Sequence, residues 1–127
     1  MDVLQSRVLL RPTDFERSLI FYDEQLGLSR YREWGEAPHR GIVYFLGGGY
    51  LELTESGPGE TSAGVRLWLQ VADAAAERDR LAGRGVAIVE EPARKPWGLI
   101  EMVIHDPDGL PLVIVETPLD HPLRRRD

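Results

Sequence analysis

The chain contains no cysteine. Its absence removes disulfide frameworks, thiolate metal sites and thiol nucleophiles, although it does not by itself define a redox compartment. There is no apolar run approaching the roughly 18 residues of a membrane-spanning helix, and no signal-peptide pattern at the N-terminus. The expectation is a cytoplasmic protein without a membrane partner. Positive charge is also short: 15 Lys and Arg stand against 21 Asp and Glu, a net charge of −6. Nonspecific nucleic-acid binding requires a basic surface to meet phosphates, so nucleic acid is not an expected partner. The one basic run, Arg124-Arg125-Arg126, sits beside Asp127 at the C-terminus and reads as a solvated tail. Histidine is scarce: His39 falls in a loop, His105 next to a turn and His121 in the tail. No Ser-His-Asp arrangement emerges. Gly47-Gly48-Gly49 lacks the Lys and Ser/Thr of a phosphate loop and reads as a hairpin turn.

What is present is a duplication. Leu9-Leu10-Arg11-Pro12-Thr13-Asp14 leads into a helical stretch, Gly27 and an apolar strand. Trp68-Leu69-Gln70-Val71-Ala72-Asp73 leads into a second helical stretch, Gly85 and another strand. Asp14 and Asp73 are 59 positions apart, as are Arg7 and Arg66. Each copy closes with a turn and a final strand: 47–49 before Tyr50-Leu51-Glu52-Leu53, and Asp106-Pro107-Asp108-Gly109 before Leu112-Val113-Ile114-Val115. With 127 residues, 43% of them hydrophobic and 28% charged, the chain has the size and composition of one ordinary globular domain.

Within the first copy, alternation predicts a strand over residues 3–11, stopped by Pro12, which has no amide proton to donate. Thr13 and Glu16 form a capping-box pair, and residues 14–26 form a helix with Phe15, Leu19, Tyr22 and Leu26 on its buried stripe. Strands follow at 28–34, 41–46 and 50–54. In the second copy they are predicted at 65–71, 86–90, 99–105 and 112–116, with a helix capped by Asp73 and a loop at 92–98. Asp14 reads as a cap as well, and Asp106 and Asp108 as turn residues. The pattern is α+β: two tandem βαβββ modules whose sheets form a curved mixed-sheet cleft. The first module spans about 3–55, a linker 56–64, the second module about 65–117 and a tail 118–127, all in one domain. A ferredoxin-like arrangement, with strand-helix-strand-strand-helix-strand order, fits less well.

Several motifs in order carry a family resemblance: Asp14 with Ser18, Phe21-Tyr22 and Leu26-Gly27-Leu28, then Asp73, Gly85-Val86, Pro96-Trp97-Gly98 and Asp106-Pro107-Asp108-Gly109. The chain resembles the vicinal oxygen chelate superfamily, which includes glyoxalase I, extradiol dioxygenases, fosfomycin-resistance transferases and bleomycin-binding resistance proteins. The resemblance covers essentially the whole chain and implies the glyoxalase/bleomycin resistance/dioxygenase fold. That fold hosts many reactions and plain binding too. The resemblance further implies a homodimer, and for the enzymes a divalent metal held by His, Gln or Glu on the first and last strand of each module. The corresponding positions here are Arg7, Glu52, Arg66 and Val113. Guanidinium groups offer only donors and valine offers nothing, so Glu52 alone suits a metal. No metal, cofactor or catalytic residue is therefore expected.

Arg7, Glu52 and Arg66 are expected to converge, with a structural reading as an ion-pair network and a functional reading as an anion clamp. Trp68 is expected to project into the cleft, either to stack on a flat ligand or to fill core. Tyr44 and Tyr50 are read as cleft-lining hydrogen-bonding groups, Tyr50 sharing a face with Glu52. Trp97 is read as a structural corner that also borders the ligand. The leading expectation is a metal-free small-molecule-binding protein, similar in character to the bleomycin-binding proteins, that sequesters an antibiotic or another aromatic or oxygen-rich metabolite. The alternatives are a glyoxalase-like lyase, isomerase or dioxygenase with a non-standard metal site, a metal-free catalyst using Glu52 as base, or a noncatalytic subunit with a vestigial cleft.

Overall fold

The computed structural model describes residues 1–55, 57, 59 and 64–122. The basic run 124–126 and part of the segment 56–64 lie outside the described residues. The chain divides into two compact units, Met1–Ser62 and Ala63–Asp127.

In the first unit, β1 (Arg7–Leu10) is followed by α1 (Phe15–Leu19), which runs on as a π-helical stretch, Ile20–Gln25. Then come β2 (Arg30–Trp34), β3 (Gly41–Leu46) and β4 (Gly49–Thr54). The second unit holds β5 (Leu67–Val71), α2 (Ala74–Gly83), β6 (Glu90–Arg94), β7 (Ile100–His105) and β8 (Pro111–Glu116). Each unit is one four-stranded mixed sheet, ordered β1-β4-β3-β2 and β5-β8-β7-β6. The first strand runs parallel to the last, and the other neighbours are antiparallel. The duplicated βαβββ order read from the sequence is the observed order.

Register decides which side chains are covered. Val8 pairs with Leu51 and Leu10 with Leu53, while Ile42 pairs with Leu53 and Tyr44 with Leu51. This set faces the helix, where Tyr22 meets Tyr44 at 6.2 Å between ring centroids. The intervening positions, Arg7, Leu9, Phe45, Tyr50 and Glu52, face the other side because strand side chains alternate with period two. In the second unit Leu67, Met102, Ile104, Leu112 and Ile114 form the covered set. Trp68, Gln70, Glu101, Val103, Val113 and Val115 form the opposite one.

Helix boundaries depart from expectation in two places. Thr13 and Glu16 do not form a capping box, because α1 starts at Phe15 and Asp14 is its N-cap, with Oδ1 accepting from the Arg17 amide at 3.1 Å. Glu16 pairs instead with Arg40 at 2.5 Å. The helix also widens: the Leu26 amide bonds to the Phe21 carbonyl, five residues back, at 2.8 Å. The wider turn brings Phe21 inward beside Tyr22 and leaves Leu19 only half-buried.

Strand limits differ too. The first strand is shorter than 3–11, since only Arg7–Leu10 finds a partner on β4. The strand predicted at 86–90 is found at Glu90–Arg94. Val86 instead closes α2 in a Schellman motif, its amide bonded to the Leu81 carbonyl at 3.0 Å and that of Gly85 to Ala82 at 3.1 Å. Pro92 therefore lies within β6 rather than in a loop. It is tolerated because β6 is an edge strand whose register shifts between Glu90 and Ala93.

Both helix starts rest on one carboxylate cap: Asp73 Oδ1 accepts from the Ala76 amide at 3.0 Å, as Asp14 does from Arg17. Asp73→Ala and Asp14→Ala should each lower stability by about 1 kcal/mol, seen as a lower urea midpoint with unchanged slope.

Candidate functional site

Away from α1, the open face of the first sheet is centred on a charge pair. Arg7 reaches from β1 to Glu52 on β4, with Nη1 donating to Oε1 at 2.9 Å. Its Nη2 donates to Gln5 Oε1 at 3.2 Å, and Glu52 Oε2 accepts from Thr54 Oγ1 at 3.0 Å. Both carboxylate oxygens are thus engaged, as partial burial of a charge requires.

Beside this pair stand three aromatic rings in mutual contact. Tyr31 stacks on Tyr50 at 4.9 Å between centroids and 30° between planes, and Phe45 lies 5.1 Å from Tyr31 and 5.8 Å from Tyr50. The Arg7 guanidinium lies 5.9 Å from the Tyr50 centroid. Tyr31, Phe45 and Leu9 keep much of their surface exposed. This leaves an apolar, partly flat surface edged by a guanidinium and a carboxylate.

Tyr31 and Phe45 were not among the residues selected from the sequence. Phase alone would have found Phe45, which pairs with Tyr50 and is one step from the buried Tyr44. Tyr31 was hidden by the register shift between Arg30 and Arg32, which alters the alternation of β2. Tyr44 does not share the face of Tyr50. It is fully buried on the helix side, with its hydroxyl lacking a hydrogen-bond partner. Burial, and then the Asp23 carboxylate, push its phenol up from the ordinary value.

In the second unit, Trp68 lies opposite Val113 and is half-exposed. Val113 and Val115 form an apolar cluster with Leu99. Arg66 precedes β5 in an exposed position and has no ion-pair partner among the described residues. Trp97 occupies the turn between β6 and β7, closed by the Gly98 amide on the Lys95 carbonyl at 2.8 Å. Its indole nitrogen donates to Glu101 Oε2 at 2.6 Å, and its carbonyl lies 3.0 Å from His121 Nε2. Trp97 is thus tied into a turn while its ring surface stays exposed.

The profile of the Glyoxalase/Bleomycin resistance protein/Dioxygenase superfamily matches residues 5–114, and the chain belongs to that superfamily. Among curated proteins none matches significantly. Among solved structures, the chain is similar to SMU.1112c, at 26% identity over 91% of this chain and 99% of that one, with a TM-score of 0.76. It is similar in fold to TnmS3, described as an antibiotic binding protein from Streptomyces sp. CB03234, at 24% identity over 92% and 98% of the two chains, TM-score 0.76. A member of the same superfamily from Sphaerobacter thermophilus DSM 20745 shares 21% identity over 91% and 98%, TM-score 0.69.

The metal that the enzymes of this fold employ does not suit the donors at the corresponding positions. Arg7 and Arg66 remain cationic at any biological pH, and Val113 has no donor atom. Glu52 is the only anionic group of the four, and both its oxygens already accept hydrogen bonds. Among the described residues no group of three or more His, Cys, Asp or Glu side chains is placed to hold a metal ion. Glu116, further along β8, is turned toward α2, where its Oε1 accepts from the Ala74 amide at 3.0 Å.

A second charge cluster of the first unit centres on Arg40. Its Nε and Nη2 donate to the two oxygens of Glu55 at 2.8 and 2.9 Å. This forked contact holds the Glu55 carboxyl at about 2. A folded-state value below the unfolded one near 4.5 gives stability that is present above pH 4.5 and lost as pH falls toward 2. Acid titration of the fold by circular dichroism should therefore show a loss in that window, and Glu55→Gln should reduce its steepness.

Proposed function

We propose that this protein binds a small molecule without a metal, holding a flat aromatic or oxygen-rich ligand, such as an antibiotic, on the open faces of its sheets. One observation carries this reading: in the first unit, a position that would serve a metal is a guanidinium locked to Glu52, beside the stacked rings of Tyr31, Phe45 and Tyr50. Stacking of an aromatic ligand on such a surface adds about 0.5–1.5 kcal/mol beyond area burial. The Arg7 guanidinium supplies a donor for a ligand oxygen at its edge. Tyr50, Arg7 and Glu52 are assigned to this role on the first unit; on the second unit, taken by itself, Arg66, Trp68 and Trp97 are assigned to ligand contact. The antibiotic-binding description of TnmS3, a protein of similar fold, lends support.

A homodimer in the cytoplasm without nucleic acid belongs to the same proposal. It is consistent with the surplus of acidic residues, and no described helix is long and apolar enough to cross a membrane. An enzymatic alternative, a lyase, isomerase or dioxygenase with a non-standard metal site, would have to release Glu52 from Arg7 and Thr54 first.

Two measurements test the proposal. Protein purified without chelator and then incubated with Ni, Zn, Fe or Mn should retain far less than one ion per chain by elemental analysis. Stoichiometric retention abolished by Glu52→Gln would overturn the metal-free reading. Anthraquinone-2-carboxylate, flat and oxygen-rich, should quench tryptophan fluorescence saturably. Tyr50→Ala should weaken its binding by roughly 2- to 10-fold, the loss of one aromatic stack.

A further inference from the structure

The first unit contains a concavity of about 360 Å³ separate from its open face. Leu19 from α1 and Ile42 from β3 supply apolar walls, and Trp34, Arg30, Glu33 and Arg40 supply the rest. The side chains of Ile42 and Leu19 lie between sheet and helix, whereas Arg7, Tyr50 and Glu52 lie on the reverse side of the sheet. Its volume is at the lower end of the range for small-molecule pockets, roughly 300–1,000 Å³.

Glycines set its shape. A Cβ on Gly41 would stand 2.2 Å from the Trp34 indole, so the absence of a side chain lets that ring lie across β3. Gly35 turns with φ +76°, and a Cβ there would stand 2.2 Å from the His39 carbonyl oxygen. The mouth is therefore fixed by backbone geometry and not only by mobile side chains.

Charge decides what it accepts. Arg30 is forked onto Asp23 and also touches Glu33, while Arg40 is forked onto Glu55 and also touches Glu16. Asp23 and Glu55 are the sheltered partners, their side chains 24% and 17% exposed, against 60% and 66% for Glu33 and Glu16. Each of these two guanidiniums is thus paired with an inner carboxylate; with Arg32 over the Trp34 ring, three cations stand among four carboxylates, of which Glu33 lines the concavity. An incoming anion would have to displace a glutamate and meet the excess negative charge. An incoming ammonium would instead share Glu33, whose exposed pairing with Arg30 is weak because water screens it. The Trp34 ring holds the Arg32 guanidinium 5.2 Å from its centroid, which leaves Glu33 at the rim as the group for an incoming ammonium.

We propose that this concavity is a second small-molecule site, for a primary amine carried on a compact apolar or aromatic body. The carbon skeleton would pack on Leu19 and Ile42, and the ammonium would meet Glu33 at the rim.

Nitrogen-15 correlation spectra of the full chain test this with three probes of similar size: phenethylamine, 2-phenylethanol and phenylacetate. Phenethylamine should shift the amides of Gly35 and Gly41 and the Trp34 indole saturably, with 2-phenylethanol weaker and phenylacetate without effect. Glu33→Gln, an exposed change that leaves the dispersed spectrum intact, should weaken phenethylamine by about 2- to 5-fold, as for one part-exposed ion pair. Tyr50→Ala should leave these shifts unchanged, which separates this site from the open face. Saturable binding of phenylacetate in preference to the amine would overturn the proposal. So would shifts centred on Tyr31 and Tyr50, indifference to Glu33→Gln, or no saturable shift with any probe.

Discussion

In each unit, the first strand lies parallel on the last, and the phase of that pairing governs every other placement. Val8 meets Leu51 and Leu67 meets Leu112, so both sheets present their aliphatic positions to their own helix. A slip of one residue would turn Leu51 and Leu53 outward and bury Tyr50 and Glu52, exchanging an apolar core for an unpaired carboxylate. The same phase brings Arg7 to the side of Glu52. Their ion pair follows from the register, and partial burial makes the pairing necessary once the register exists.

The duplication keeps its covered faces alike and lets its open faces differ. Leu9 and Glu52 oppose one another in the first unit, where Trp68 and Val113 do so in the second. The covered positions must fill a closed space between helix and sheet, so their chemistry has little freedom. Open positions carry no such volume constraint. The first unit uses this freedom for a charge pair beside stacked rings; in the second, Val113 and Val115 are themselves buried with Leu99, while Trp68 stays exposed. Membership of a superfamily that includes enzymes and binding proteins fixes this frame without fixing what the open faces do.

Carboxylates in this chain work mainly as structural partners. Asp14 and Asp73 cap helices, Glu116 bonds to the first amide of α2, and Asp106 accepts from the amides of Asp108 and Leu110 in its turn. Asp23 and Glu55 steady guanidiniums from their sheltered side. Two carboxylates outside that pattern, Glu33 and Glu16, remain open to solvent, and their excess over the nearby arginines gives one end of the first unit a local negative balance.

Sequence by itself determined the repeated βαβββ order, the helix caps at Asp14 and Asp73, and the unsuitability of Arg7, Arg66 and Val113 as metal donors. These follow from local periodicity, capping chemistry and side-chain type, all of which reside in short stretches of chain. Tertiary structure alone decided that Tyr31 joins Phe45 and Tyr50, because a register shift in β2 depends on its partner strand. It also decided that Tyr44 is buried against Tyr22, that β6 runs through Pro92, and that α1 widens into a π-helical stretch which turns Phe21 inward. Pairing between distant strands sets phase, and phase is a relation between segments that neither segment encodes alone.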